Sequence, residues 1–234
     1  MGIGLPAPLR LALGVVPALA LVPAVQAQTQ LSQYSGIGQP HCRTVQGSAA
    51  RPADDHDVVV ERCPTSVGLE VIKAYRGAAV QVTLASPGWG KTEPQLGTGF
   101  DVGDTIEWRG RRDGARFRPG AAILRLRSRM DDGRLGSVLA ILRIERDRAC
   151  PVAWLDAAAL PDANARAREA ADAAIAMFRC GTSRPGIIGP QTALVAATAA
   201  RSAGAGRRSP VAEAKGRREA PGRLRRMSPE RPSD

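Results

Sequence analysis

Few residues in this chain could do chemistry, and they are scattered. Four cysteines stand at Cys42, Cys63, Cys150 and Cys180, and the two histidines are His41 and His56. Zinc sites usually draw ligands from close C-x2–4-C pairs, and no two of these cysteines lie that near each other. Asp54-Asp55-His56-Asp57 sets four metal-ligating types in a row. Neighbours on one loop do not close a coordination sphere unaided, so the run reads as a solvated acidic loop. Gly88-Trp89-Gly90-Lys91-Thr92 ends like a phosphate-binding loop. That motif needs glycine where Ala85 stands, and Pro94 would break the helix that must follow. Neither histidine belongs to a Ser/His/Asp or Cys/His arrangement, and G-x-S-x-G is missing. A carboxylate pair such as Glu107 with Asp156 is the catalytic option left open, although Glu107 also fits the exposed face of a strand. The expectation is a protein that is not an enzyme and needs no cofactor or metal.

Binding chemistry is better represented. Glu107-Trp108-Arg109-Gly110-Arg111-Arg112-Asp113 places one aromatic among three arginines near a hairpin tip. Trp and Arg dominate binding hot spots because each joins a large contact area to a polar handle. Trp108, Arg109, Arg111 and Arg112 are therefore the candidate partner-binding residues. A competing reading is the stronger of the two. Trp108 alternates with Glu107 and Arg109, which turns the indole into the core and leaves the arginines merely solvated.

The elements that must position these residues follow from periodicity. Val58–Cys63 is β-branched and reads as a strand. Leu69–Tyr75 and Ala78–Ala85 form a hairpin about Arg76-Gly77, with Val80, Val82 and Leu84 alternating with Gln81 and Thr83. Residues Ser86 to Gly103 are rich in Gly and Pro and read as a long loop. Thr105–Gly110 is a short strand, and Arg111–Arg118 a basic turn. In Ala121–Arg129 and Gly136–Arg146, Ala122, Leu124 and Leu126 answer Val138, Ala140, Leu142 and Ile144 across the Asp131-Asp132-Gly133 turn. One more apolar strand follows at Ala149–Ala157. An amphipathic helix then starts near Asp162 or Asn164, with Ala167, Ala171, Ala174, Ile175 and Phe178 on one face. Arg168 and Asp172 lie four apart on its outer side. Gln28–Gln39 is a flexible lead-in or an edge strand. The predicted fold class is α+β, an antiparallel β-meander of about six to seven strands. One C-terminal amphipathic helix packs on the sheet, and disulfides staple the whole.

Composition fixes the domain boundaries. All eight aromatics lie between Tyr34 and Phe178, so only the middle of the 234 residues can bury a core. Residues 28–180 are read as that single domain. From Gly181 onward ten Arg and one Lys face three Glu and one Asp, so most of the formal charge of +11 belongs to a tail. Residues 181–234 lack hydrophobic periodicity and are read as a disordered basic extension. That tail is either an unconstrained extension or a polybasic arm for an anionic envelope surface.

The leader sets the compartment. Arg10 precedes an apolar run from Leu11 to Val22, and Val25 and Ala27 stand at the −3 and −1 positions of a cleavage site. Residues 1–27 are read as a signal peptide, because the run falls short of the roughly 20 residues a spanning helix needs. No later segment of the sequence is long and apolar enough to span. In an oxidising compartment an even number of cysteines implies disulfides. Three pairings are open to four cysteines. Cys42–Cys63 and Cys150–Cys180 are favoured, since each closes a local unit worth roughly 3–4 kcal/mol of chain entropy.

The chain resembles a family of small exported alphaproteobacterial proteins without an assigned function. The matching residues are Cys63, Gly68 and Val71, then Ile106-Glu107-Trp108-Arg109 and Ala122-Ile123-Leu124-Arg125. Ala149 through Ala157, and Asn164-Ala165-Arg166 through Asp172 to Phe178 and Cys180, continue the match. The resemblance implies a common fold over most of the body and brings no catalytic residues with it. In size, cysteines and strands the body is also similar to periplasmic lysozyme inhibitors, a likeness of fold alone.

These readings converge on a periplasmic or secreted, non-catalytic binding or inhibitory module with a periplasmic protein partner and no role for nucleic acid. The alternative is an envelope structural or stress protein whose basic tail touches the anionic membrane surface. Protein isolated from the producing cell's periplasm should begin at Gln28 by intact mass and N-terminal sequencing. A retained leader would overturn the export assignment.

Overall fold

Alternation along Ala121–Leu126 yields a strand with two apolar faces, because Ala122, Leu124 and Leu126 point one way while Ala121 and Ile123 point the other. A strand apolar on both sides must be covered on both sides, and the fold is arranged around that need. The computed structural model describes residues 1–2, 30–47, 58–90, 92–130 and 132–205. The rest of the leader, the Asp54–Asp57 run with His56, and the chain beyond residue 205 lie outside the described residues.

The strands are β1 (Leu31–Gly36), β2 (Arg43–Gln46), β3 (Val58–Pro64), β4 (Glu70–Arg76), β5 (Ala79–Ala85), β6 (Leu96–Thr98), β7 (Asp101–Asp113), β8 (Arg116–Arg129), β9 (Leu135–Ile144), β10 (Ala149–Asp156) and β11 (Gly186–Ile187). The helices are α1 (Ala163–Met177) and α2 (Ala193–Ala205). One sheet has the order β1-β7-β8-β9-β10-β11 and the other β2-β3-β4-β5-β6. Neighbours pair antiparallel except β10 with β11.

The main core lies between the sheets. Val71, Val82 and Leu84 meet Ile106, Trp108, Leu124 and Leu142 there, all nearly or fully shielded from water. On the far side of the larger sheet α1 covers Ile123, Leu139, Ile141 and Leu155 with Ala163, Ala167 and Ala171. The alanines let the helix sit close to the strands. Both expected disulfides are formed. Cys42–Cys63 ties the start of β2 to β3, and Cys150–Cys180 ties β10 to the segment leaving α1.

Several expectations are corrected. The β-rich α+β class and the staples hold, but the described residues form two sheets with eleven strands and two helices, not one meander with one helix. Of the two options for the lead-in, the edge strand is the one formed, as β1 on β7. The Gly- and Pro-rich stretch contains β6, a three-residue edge strand too short to show a period. Phe178 caps α1 and is half-buried, while Ile175 makes the contact with the sheet. Arg168 and Asp172 do not simply face outward from the helix; each bonds a β7 residue.

Disorder from Gly181 does not hold for residues 181–205. Val195, Thr198, Ser202 and Ala205 are buried on one side of α2, which lies along β6. Thr198 Oγ1 donates to Leu194 O at 2.8 Å and Ser202 Oγ to Thr198 O at 3.0 Å. Hydroxyls satisfied within the helix can be buried without a desolvation cost. Thr192 accepts from the Val195 N–H at 3.3 Å and donates to Asp156 at 2.9 Å, which fixes the helix start to the end of β10.

Candidate functional site

The four candidate partner-binding residues are separated by the fold. Trp108 is 0% exposed, and its indole N–H donates to Ser35 Oγ at 3.0 Å. Arg109 faces the opposite way, toward α1, and is 9% exposed. Its Nε and Nη2 grip Asp172 at 2.9 and 2.6 Å, while Nη1 donates to Ser32 Oγ at 2.6 Å. Beside it Glu107 accepts from Arg168 Nε at 2.8 Å and from Ser32 Oγ at 2.5 Å. The Glu107 hydrogen bond holds the Arg168 guanidinium above its ordinary pKa, against the opposing effect of burial. Trp108 and Arg109 therefore serve the core and the helix. Arg111 and Arg112 are exposed further along β7.

The fold also keeps Glu107 and Asp156 apart. Glu107 lies on β7 and Asp156 at the end of β10, with two strands between them. Strand spacing alone puts them about 14 Å apart, too far to act on one bond. Asp156 is engaged in any case, accepting from Ala158 N and Thr192 Oγ1 at 2.9 Å each. All four cysteines are paired, so no described thiol can act as a nucleophile.

A second ionic group lies inside the molecule. Lys73 and Glu61, 5% and 7% exposed, face each other across β3 and β4 with Nζ to Oε2 at 2.8 Å. Lys73 also donates to Ile37 O at 2.8 Å, and the Tyr75 hydroxyl to Glu61 at 3.3 Å. A cavity of about 190 Å³ adjoins them, with Asp101 and Asp104 on its wall. Each of these bonds joins the pair to the chain itself, so the group ties β1 to the smaller sheet.

At one end of the sandwich the β3–β4, β5–β6, β7–β8 and β9–β10 connections gather. Pairing of β1 with β7 stops at Gly110, and pairing of β9 with β8 begins at Ala121. Residues 111–118 project past both neighbours as a two-stranded finger. Within it Arg111 stands opposite Arg118, Arg112 opposite Phe117, and Asp113 opposite Arg116. Gly114 turns the tip at φ +59°, a glycine conformation suited to two-residue hairpins. At the base, a Cβ on Gly110 would come within 2.1 Å of Arg118 O, so only glycine fits.

The finger walls a cleft of about 750 Å³ that Trp89, Phe117, Arg143 and Arg146 also line. Trp89 is half-buried and anchored by its indole N–H on Arg146 O at 3.0 Å. Arg143 Nη1 donates to the carbonyls of Gly120 and Ile144, and its Nε is buried without a partner. Burial lowers the Arg143 pKa; Glu145 opposes that shift and Arg179 adds to it. Glu145 in turn accepts from Cys180 N at 3.0 Å. A second cleft of the same size, beside β1, shares Val67, Arg116 and Phe117. Like charges placed opposite each other cost stability, and Asp113 relieves this only through an exposed ion pair with Arg118 at 2.6 Å.

Comparison with protein-family models, curated proteins and solved structures finds no match for this chain.

Of this cleft, the sequence reading reached Arg111 and Arg112 and passed over Arg116, Phe117 and Arg118. The signal was present as Asp113-Gly114 flanked by arginines, a hairpin tip and not a bare turn. Trp89 comes from the β5–β6 connection, Arg143 from the end of β9 and Arg146 from the β9–β10 connection, and no local pattern joins them.

Replacing Lys73 with Met should lower stability by about 3–5 kcal/mol, because Glu61 is left buried and uncompensated. The double variant Glu61→Leu/Lys73→Met should recover most of that loss in urea unfolding. A single variant within 1 kcal/mol of the parent would show that the pair is not buried as described.

Proposed function

We propose that this protein is an exported, non-catalytic binding module, of which an inhibitor is one form, and that it holds a negatively charged partner at the finger end of its sandwich. The observation that carries the reading is the finger itself. Four arginines against one aspartate project beyond both neighbouring strands, beside a cleft floored by Trp89 and Phe117. Guanidinium groups suit carboxylate and phosphate because their N–H donors match both oxygens of the anion at once. A field of one sign at a concave surface also speeds encounter with an oppositely charged partner.

Export is part of the same proposal. The leader and the two disulfides favour an oxidising compartment outside the cytoplasm, and among the described residues no helix is long and apolar enough to cross a membrane. Kinship with the small exported alphaproteobacterial family belongs with it, supported by the residues from Cys63 to Cys180 that carry the resemblance.

The test compares the full mature chain with an Arg111→Ala/Arg112→Ala/Arg116→Ala variant in capture from cell-envelope extract. Capture should fall at least tenfold while the melting temperature stays within a few degrees. Undiminished capture by the folded variant would end the proposal. Capture lost only when the basic tail is removed would transfer the role to an envelope-surface protein.

A further inference from the structure

Resting on the reading of the finger end as the binding face, we propose that its occupant is an anionic polysaccharide. Its sugar rings stack on Trp89 and Phe117, and their carboxylate or phosphate substituents lie among Arg111, Arg116, Arg143 and Arg146.

Three features of the cleft lead there. The first is size and continuity. Two clefts of about 750 Å³ each meet at Val67, Arg116 and Phe117, the second running on beside β1. A single inorganic anion would occupy a small part of either, whereas a chain of linked rings can run through both. The second is the pairing of flat aromatic surface with charge. The indole of Trp89 is fixed by its bond to Arg146 O, and Phe117 is half-buried against the core. Both rings therefore offer preset faces without further ordering, which lowers the entropy lost on binding. An aromatic face is electron-rich, so it attracts the weakly positive C–H groups on the flat side of a sugar ring. Charged substituents at the ring's rim then fall where guanidinium groups can take them in pairs.

The third feature is Arg143. Its guanidinium is held by two backbone carbonyls and lies partly out of water with a buried, unbonded Nε. Glu145 accepts from the Cys180 N–H and offsets only part of the burial that disfavours the Arg143 charge. A partly desolvated cation whose charge is incompletely offset is stabilised by an incoming anion more than a solvated surface arginine would be. An acidic polypeptide would satisfy the arginines but has no need of two preset aromatic platforms.

The experiment measures binding of the full mature chain at 0.15 M salt to four probes. Polygalacturonate carries carboxylates on sugar rings, and lipopolysaccharide core oligosaccharide carries phosphates on sugar rings. Poly-glutamate and single-stranded DNA carry comparable charge without a sugar polymer of that kind in the backbone or with bases appended to it. At least one of the two glycans should bind at least tenfold more tightly than poly-glutamate, and which of them does so identifies the charged group. Trp89→Ala should weaken that glycan at least tenfold without altering poly-glutamate binding. Trp89→Phe, which keeps an aromatic face, should stay within about threefold of the parent, a factor that corresponds to well under 1.4 kcal/mol. Because these two variants leave the charge unchanged, the basic tail contributes equally throughout.

Equal affinity for poly-glutamate, tighter binding of DNA, or glycan affinity indifferent to Trp89→Ala in a folded variant would each overturn the inference. Failure here together with arginine-dependent capture of an acidic protein would remove the polysaccharide and leave the binding module. Failure of both would remove the binding face as well.

Discussion

The structure depends on one constraint: strands β8 and β9 are apolar on both faces and must be covered twice. The smaller sheet takes the inner face, and α1 takes the outer one. Without α1, Ile123, Leu139, Ile141 and Leu155 would face water at about 1.5–3 kcal/mol each. That loss is comparable with the whole stability of an ordinary domain, roughly 5–15 kcal/mol. The helix cannot be optional. Its small apolar face is reinforced by two other ties, the grip of Arg109 on Asp172 and the Cys150–Cys180 bridge. Arg109 thus belongs to the cover, and an arginine that holds a helix down is not free to hold a partner.

The same constraint separates the parts of the molecule that stabilise from those that can bind. Trp108, Lys73, Glu61 and Arg109 have internal partners and are consumed by the fold. Residues 111–118 lie beyond the doubly covered region, and the strand pairing recorded for them is with each other. A short hairpin that carries repelling charges and has no neighbouring strand is tied to the core behind it by Phe117. β7 and β8 carry it out from the sheet, with a register shift at its base between Arg109 and Gly110.

How much of this was legible depends on where the information lies. The Ala121–Ile144 hairpin could be read because alternation is a local property, and it was read on the inner face. Ala121, Ile123, Leu139 and Ile141 complete a second apolar face, which makes an almost continuous run and announces a strand buried on both sides. Both disulfides were legible because each closes a unit that is contiguous in sequence. The division into two sheets was not, since nothing local ends one sheet at β6 and begins the other with β7. Helix α2 was hidden by its chemistry. A face of Val195, Thr198, Ser202 and Ala205 looks polar until the hydroxyls are seen to bond the preceding turn. Of the cleft, only the finger was local. Trp89 and Arg143 reach it from positions more than fifty residues apart.

Native-state hydrogen exchange tests this division most directly. Amides of Ile123–Leu126 and Leu139–Leu142 should exchange only through global unfolding, while those of Arg112–Phe117 exchange orders of magnitude faster. When the captured partner is added, new protection should appear at residues 111–118 and around Trp89, with the central strands unchanged. A finger as protected as the core before binding, or protection that arises elsewhere on binding, would contradict the account.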